Sequence, residues 1–297
     1  MDCTRCGERA VYIRRYSGQR FCRDHFIDYF EAKVKKTVKD EGMVGRGEKI
    51  GVAISGGKDS MALLHILHNL AATLDLELHA IAVDEGIDGY RPPSLEKASK
   101  ASEALGIPYH QVSFQDAFGE TLDAMVEKDK AACSVCGVLR RRLLNDKAKE
   151  LDMDKLATGH NLDDQAQAVM MNYIRGDVAR LARFGKDSGD DGFVKRIKPL
   201  KEMPEREVAL YAMLSGIDVS FDECPYSGGA FRATVRDMIN DLEEANPGIK
   251  FSIMRGYETI RPLLEGLKGG PLSKCSRCGE PSSRDPCMVC EITQKLK

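Results

Sequence analysis

The segment Ile50-Gly-Val-Ala-Ile-Ser-Gly-Gly-Lys-Asp-Ser60 constrains the fold of this chain more than any other. The apolar run Ile50 to Ile54 has the length and composition of a buried strand. Apolar residues from Met61 to Leu70 follow at helical spacing, so Ser55 to Ser60 form a strand-to-helix turn. The two glycines let the backbone pass close to a bound anion. The helix start offers free N–H groups and the positive end of the helix dipole. Lys58 adds a charge, and Ser55 and Ser60 add hydroxyl donors. A glycine-rich turn without a ligand is the plainer alternative. The G-x-x-x-x-G-K-[ST] spacing of kinases and GTPases is absent, so this is a different phosphate loop.

Further strand and helix signals alternate along the chain. Leu76 to Val83 reads as a strand ending in Asp84-Glu85-Gly86, Ser94 to Leu105 as a helix, and Tyr109 to Phe114 as a third strand. Cys133 and Cys136 open a basic helix. Lys155 to Thr158 is a fourth strand running into Gly159-His160-Asn161-Leu162-Asp163-Asp164, and Phe193 to Leu200 a last strand. Helices are expected over Pro204 to Leu214 and Phe231 to Glu244, the latter stopped by Asn246-Pro247-Gly248. Alternation of this kind predicts an α/β fold with a parallel sheet, ligands lying outside the carboxyl ends of its strands. Asp163 and Asp164 fall in the first turn of a helix, and composition favours a capping role for them over catalysis.

The length of 297 residues suits one medium α/β domain with small additions. The net charge is -2, but it is unevenly spread. Residues 1–50 carry 12 Lys/Arg against 8 Asp/Glu, and residues 251–297 carry 8 against 5, leaving the middle at -9. Basic ends on an acidic body fit a nucleic-acid partner gripped at the periphery, or ordinary solvated charge. The polar, cysteine-containing start is no signal peptide, and no apolar run approaches the roughly 18 residues of a membrane span. A cytoplasmic protein is expected, whose ten cysteines serve metals rather than disulfides.

Those cysteines divide into three groups. Cys3-x2-Cys6-x15-Cys22-x2-His25 and Cys275-x2-Cys278-x8-Cys287-x2-Cys290 each offer four ligands as paired knuckles, the pattern of a closed structural zinc site. Gly7 and Gly279 follow the second cysteine of each group and ease the turn at the sulfurs. Cys133-x2-Cys136 and the distant Cys224 remain. Three thiols suit an open metal site or a cluster lacking one protein ligand. A redox pair with Cys224 as a core thiol fits the same residues. The expected division is a first zinc knuckle (1–26), a linker helix (27–47), a catalytic domain (48–267) and a second knuckle (268–297).

The loop Ser-Gly-Gly-Lys-Asp-Ser resembles the PP-loop of the N-type ATP pyrophosphatases, an adenine nucleotide alpha hydrolase-like fold. The loop, the central Cys-x-x-Cys, Gly-His-Asn-x-Asp-Asp, the lone distal cysteine and the flanking knuckles come in the order found in TtuA/TtcA-type tRNA 2-thiolation enzymes. Nearly the whole chain is similar to that family of PP-loop sulfurtransferases. Tyr90-Arg91 after Asp84 to Ile87 resembles the archaeal and cytosolic wobble-uridine branch.

The resemblance implies an ATP-dependent tRNA-uridine 2-sulfurtransferase. ATP with Mg²⁺ would occupy Ala53, Ile54, Ser55, Gly56, Gly57, Lys58, Asp59 and Ser60, near Ala82, Gly159 and Arg140. Uridine O2 would attack the α phosphate, releasing pyrophosphate, and sulfur would then displace AMP. Cys133, Cys136 and Cys224 would hold a [4Fe-4S] cluster; a cysteine persulfide is the rival route. The basic residue four places after the second central cysteine is Lys in some relatives and Arg140 here, which pairs with phosphate but is no proton carrier. Acid–base work then falls to Asp164. Two structural Zn²⁺, a homodimer, and a sulfur donor that is free sulfide or a thiocarboxylated ubiquitin-like carrier complete the expectation. Alternatives are T-loop uridine or cytidine thiolation, an ATP-dependent amidotransferase, tRNA lysidine synthase, and a non-catalytic zinc-and-RNA scaffold.

Overall fold

A computed structural model describes residues 1–128, 132–185, 192–226, 231–267 and 272–296. Its centre is a five-stranded parallel sheet in the order β5-β4-β3-β6-β7. The strands are β3 (Lys49–Ile54), β4 (Glu77–Asp84), β5 (Tyr109–Ser113), β6 (Lys155–Ala157) and β7 (Lys195–Ile197). β3 is central and pairs in register with β4 (Ile54↔Ala82) and β6 (Val52↔Ala157). From β3 the chain moves outward through β4 to β5, then returns to the other side of β3 as β6. The crevice between the ends of β3 and β6 is thus the topological switch point, where this architecture binds ligands.

Helix α1 (Arg23–Asp40) presents buried Phe26, Phe30 and Val34 to the core, and Phe30 stacks on Tyr211 with ring centroids 4.4 Å apart. Fully buried side chains of this size stabilise by about 1.5–3 kcal/mol each. Tyr211 belongs to α9 (Glu205–Leu214), which lies against α2 (Lys58–Leu74), the helix opened by the Ser55–Ser60 loop. α3 (Arg91–Ala104) starts on Pro92 and Pro93, whose fixed φ suits the first helical turn. Short helices α4 (Phe114–Phe118) and α5 (Leu122–Lys128) follow β5, and α6 (Ala132–Glu150) leads into β6. α7 (Leu162–Ile174) and α8 (Val178–Arg183) separate β6 from β7.

Beyond the sheet, α10 (Phe231–Ala245) and α11 (Ile249–Ile260) pack on α7, and a 3-10 turn covers Arg261–Leu267. The sequence pattern gave no sign of α11, because Asn246-Pro247-Gly248 ends α10 without an evident restart. Gly248, at φ +98°, makes the left-handed turn that reverses the chain between the two helices. The terminal knuckles each contain a two-stranded antiparallel ribbon: β1 (Tyr12–Ile13) with β2 (Arg20–Phe21), and β8 (Ser273–Lys274) with β9 (Pro281–Ser282). The second ends in α12 (Met288–Leu296). Residues 268–271 of the expected lead into this knuckle lie outside the described residues. Among the described residues no helix is long and apolar enough to cross a membrane.

Candidate active site at the strand ends

The loop after β3 is fixed by its own hydroxyls. The Ser55 N–H donates to Ser60 Oγ at 3.0 Å, and Ser60 Oγ donates to the Gly57 carbonyl at 3.0 Å. Gly56 sits at φ +79°, and a Cβ there would fall 2.0 Å from the Ser94 carbonyl oxygen. Only glycine fits. Gly57 is different: its nearest neighbour to an added Cβ would be Ser55 Oγ at 3.5 Å, so its small size leaves the approach to the loop clear.

Lys58 Nζ lies 3.0 Å from Asp59 Oδ2 and 2.7 Å from Glu205 Oε1. Burial opposes its charge, but Asp59 and then Glu205 outweigh that and raise its pKa above the ordinary lysine value. Burial raises the pKa of Asp59, while Lys58 and Asn161 act against it. Asn161 Nδ2 donates to Asp59 Oδ1 at 2.9 Å, tying the loop after β3 to the loop after β6. A Cβ on Gly159 would stand 3.0 Å from the Asp59 carbonyl carbon and the Ser60 nitrogen, so the two loops are in backbone contact.

The two carboxylates of α7 divide their roles. Asn161 is the N-cap, accepting from the Asp164 N–H at 3.1 Å, and Asp164 Oδ2 accepts from the Asn161 N–H at 3.2 Å. This reciprocal box satisfies two helix-end donors. The expected capping role is therefore real for Asp164. Asp163 instead accepts from the Glu205 N–H at 2.8 Å and pairs with Lys250 Nζ. Asp164 keeps Oδ1 near Arg232 Nη1 at 3.3 Å. Burial, opposed by the Asn161 backbone and Arg232, raises its pKa to about 6. A carboxyl at that value exchanges protons near neutral pH.

Buried Arg91, which the sequence offered only as a mark of family branch, organises the end of β4. Arg91 donates from Nε to the Val83 carbonyl at 2.9 Å and from Nη1 to the Ser55 carbonyl at 2.9 Å. It pairs with buried Glu85 at 2.6 Å, and Arg140 reaches the other Glu85 oxygen at 3.5 Å. Arg140 is thereby held by a carboxylate just beyond the end of β4. Polar residues immediately after an apolar strand, as in Asp84-Glu85, were the available signal. Ala53, Ile54 and Ala82 lie on adjacent registers of β3 and β4 beside this corner.

Two members of the third cysteine group, Cys136 and Cys224, come to the same corner. Ser220 donates its N–H to the Gly56 carbonyl at 2.9 Å and forms a parallel bridge with Gly57. Four residues later Cys224 packs on an apolar cluster of Val83, Ile87, Leu122 and Leu139, which Cys136 and Tyr90 also join. Tyr226 donates to Asp123 Oδ1 at 2.6 Å and pins this segment to α5. Cys136 and Cys224 thus share one apolar wall beside the loop, and both are half-buried. The side chain of Cys133 lies outside the described residues.

The terminal cysteines form two compact sets. The ligand atoms of Cys3, Cys6, Cys22 and His25 lie within 4.8 Å of one another, as do those of Cys275, Cys278, Cys287 and Cys290. Sulfur separations of 3.7 Å for Cys6–Cys22 and Cys278–Cys287 and 3.9 Å for Cys275–Cys290 match the edge of about 3.8 Å in a tetrahedron with Zn–S near 2.3 Å. Both sets fit zinc. The first knuckle is anchored on buried Glu207, which accepts from Tyr12 at 3.2 Å, Tyr16 at 3.0 Å and Tyr29 at 3.3 Å. The second docks on α6, where Lys149 pairs with Glu280 at 3.0 Å and Arg142 Nη1 lies 3.6 Å from Cys278 Sγ.

Comparison with known proteins places this geometry. The PP-loop domain family matches residues 27–243, and the family described as the N-terminal LIM domain of 2-thiouridine synthetase TtuA matches residues 2–27. A tRNA 2-thiolation protein NcsA of Haloferax volcanii is 39% identical over 100% of this chain and 99% of its own length. The chain belongs to the tRNA 2-thiolation family of PP-loop proteins. The cytoplasmic tRNA 2-thiolation protein 1 of Danio rerio is 38% identical, covering 100% of this chain and 88% of the relative. The solved U34-tRNA thiolase NcsA of Methanococcus maripaludis, determined with its [4Fe-4S] cluster, superposes with a TM-score of 0.86 at 41% identity. It covers 100% of this chain and 96% of that one. The parallel-sheet PP-loop domain with a cysteine knuckle at each end, expected from the sequence, is the fold of this 2-thiolation family member.

Proposed function

We propose that this protein is an ATP-dependent tRNA 2-sulfurtransferase acting on the wobble uridine, U34, in the cytoplasm. The observation carrying this reading is the meeting of three parts at one sheet corner: the Ser55–Ser60 loop, Asp164, and the wall holding Cys136 and Cys224. ATP lies over the ends of β3, β4 and β6, its phosphates on the loop N–H groups, Lys58, Ser55 and Ser60. Asp59 would hold Mg²⁺, Gly159 leaves room at the loop contact, and backbone near Ala53 and Ala82 reads the adenine. Arg140 offers its guanidinium to the charge that develops on the phosphates.

In the first step uridine O2 attacks the α phosphorus and the bond to the bridging oxygen breaks. Pyrophosphate leaves, and Asp164 accepts the proton from uridine N3. In the second step hydrosulfide, from free sulfide or a thiocarboxylated carrier, adds to C2. The C2–O bond then breaks, AMP carries that oxygen away, and the sulfur-borne proton restores N3–H. The net change is uridine, ATP and hydrosulfide to 2-thiouridine, AMP, pyrophosphate and one proton, which Asp164 releases to solvent, with no change of oxidation state. A [4Fe-4S] cluster held by Cys133, Cys136 and Cys224 supplies, when bound, an open iron site with affinity for sulfide. Zn²⁺ at each knuckle is structural. The chain divides into knuckle (1–26), linker helix (27–47), catalytic domain (48–267) and second knuckle (268–297), and works as a homodimer.

Nucleoside mass spectrometry of tRNA from a strain lacking the gene tests the reading. Loss of 2-thiouridine from position 34 is expected. Its retention there, with loss from the T-loop, would overturn the target.

A further inference from the structure

One large cleft among the described residues lies beside the phosphate loop rather than on it. It has a volume of about 1590 Å³ and lies between β7, α7 and α11. Pockets for small molecules run to about 300–1,000 Å³, so this one is sized for a larger occupant. Ten Lys/Arg line it against four Asp/Glu, although the middle of the chain is acidic as a whole. Arg141 and Arg196 are adjacent on its wall, with Arg196 Nη2 3.3 Å from the Arg141 carbonyl oxygen. Desolvation within the cleft lowers the pKa of both, and in Arg141, which is exposed on the wall, the neighbouring Arg196 and Arg140 add to the effect. His160 is exposed on the same wall, and its pKa is lowered by desolvation within the cleft and then by the cations Lys198, Arg140, Arg232 and Arg196. An excess of cations over carboxylates along one wall attracts an anionic ligand.

Two aromatic rings stand along the cleft. Phe184 packs edge-on to Tyr257 with Lys198 Nζ 5.0 Å from its centroid. Phe251 packs on Tyr16 at 4.9 Å, with Lys33 Nζ 5.0 Å from its centroid. Cations that track a backbone and rings that stack bases are the two components of single-strand nucleic-acid grooves. The cleft also reaches the reaction site. Asp164 lines it, and its capping partner Asn161 bonds Asp59 of the phosphate loop.

We infer that this central cleft, rather than the basic termini, holds the unstacked strand of the RNA substrate, with phosphates on Arg141, Arg196 and Lys198. Phe184 and Phe251 are the base-stacking platforms flanking the target nucleotide, which is delivered past His160 to Asp164. The inference rests on the reading of the protein as a tRNA-modifying enzyme and assigns where that RNA lies.

The test is binding of unmodified tRNA to the metal-loaded full-length protein across a salt series, for wild type and for R141A, R196A and K198A. Each variant is expected to weaken binding several-fold and to lower the slope of log K against log salt by about 0.7. Unchanged slopes and affinities would overturn the placement. A second measurement needs no substitution: bound tRNA is expected to protect Phe184 and Met254 of the wild-type protein from hydroxyl-radical oxidation. Unchanged oxidation of both would count against the cleft. Assay of the same tRNA for 2-thiouridine separates the two claims. Binding through the cleft without any thionucleoside would leave the placement standing and overturn the enzymatic reading. Thiolation with binding elsewhere would do the reverse.

Discussion

Asn161 Nδ2 donates to Asp59 Oδ1 at 2.9 Å across the crevice between β3 and β6. One side chain thereby caps α7 and orients the acidic residue of the phosphate loop. N161A removes both roles. Loss of an N-cap costs about 0.5–2 kcal/mol, so a modest fall in stability is expected with a larger fall in ATP affinity. Thermal denaturation and ATP titration of the same preparation check this, and unchanged ATP affinity would count against a positioning role.

The loop glycines are predicted to fail in different ways. G56A must displace the Ser94 carbonyl and adopt a left-handed φ, so it should fold poorly. G57A meets nothing nearer than 3.5 Å and should fold normally, yet its methyl group would obstruct a phosphate lying on the loop. Circular dichroism with ATP binding separates the two. Wild-type ATP affinity in G57A would move the phosphates off this loop.

Activity is expected to fall as pH drops through about 6. Asp164 must be deprotonated to accept the uridine N3 proton, and burial holds its pKa at about 6. The rate should rise with pH through that value and reach a plateau above it. D164N should lose most activity and the acid limb together, because the amide does not titrate. An acid limb persisting in D164N would assign it to another group.

Much of this was legible in sequence because it is local. A strand, two glycines and a helix in succession specify the loop, and Cys-x2-Cys spacing specifies each knuckle without knowledge of the rest. What was not legible joins residues far apart. Glu207 meets Tyr12 across 195 positions, and Asp163 meets Lys250 across 87. A glutamate in an amphipathic helix gives no sign that it will be fully buried. Arg91 was read only as a mark of family branch, since nothing local shows that its guanidinium turns inward to Ser55. The cleft was hidden for the same reason, its cations being scattered from Lys33 to Arg261 within a segment that is acidic on average.

Glu207 provides a further test. Removing it leaves three tyrosine hydroxyls and Arg14 without their shared acceptor. E207A should destabilise the protein by about 3–5 kcal/mol, the range for breaking a buried charged pair. The first knuckle should become protease-sensitive and give up its zinc to a chelator faster than the second. Denaturant unfolding and timed zinc release measure both effects. Equal release rates from the two knuckles would show that Glu207 does not anchor the first.

The account's central claim is that uridine O2 itself becomes bonded to the α phosphorus. The most direct measurement uses tRNA carrying ¹⁸O at C2 of U34, with ATP, Mg²⁺ and sulfide under anaerobic conditions, followed by mass spectrometry of the released nucleotide. The account predicts AMP carrying one ¹⁸O for each 2-thiouridine formed. Unlabelled AMP, or ADP and orthophosphate as the nucleotide products of thiolation, would contradict it.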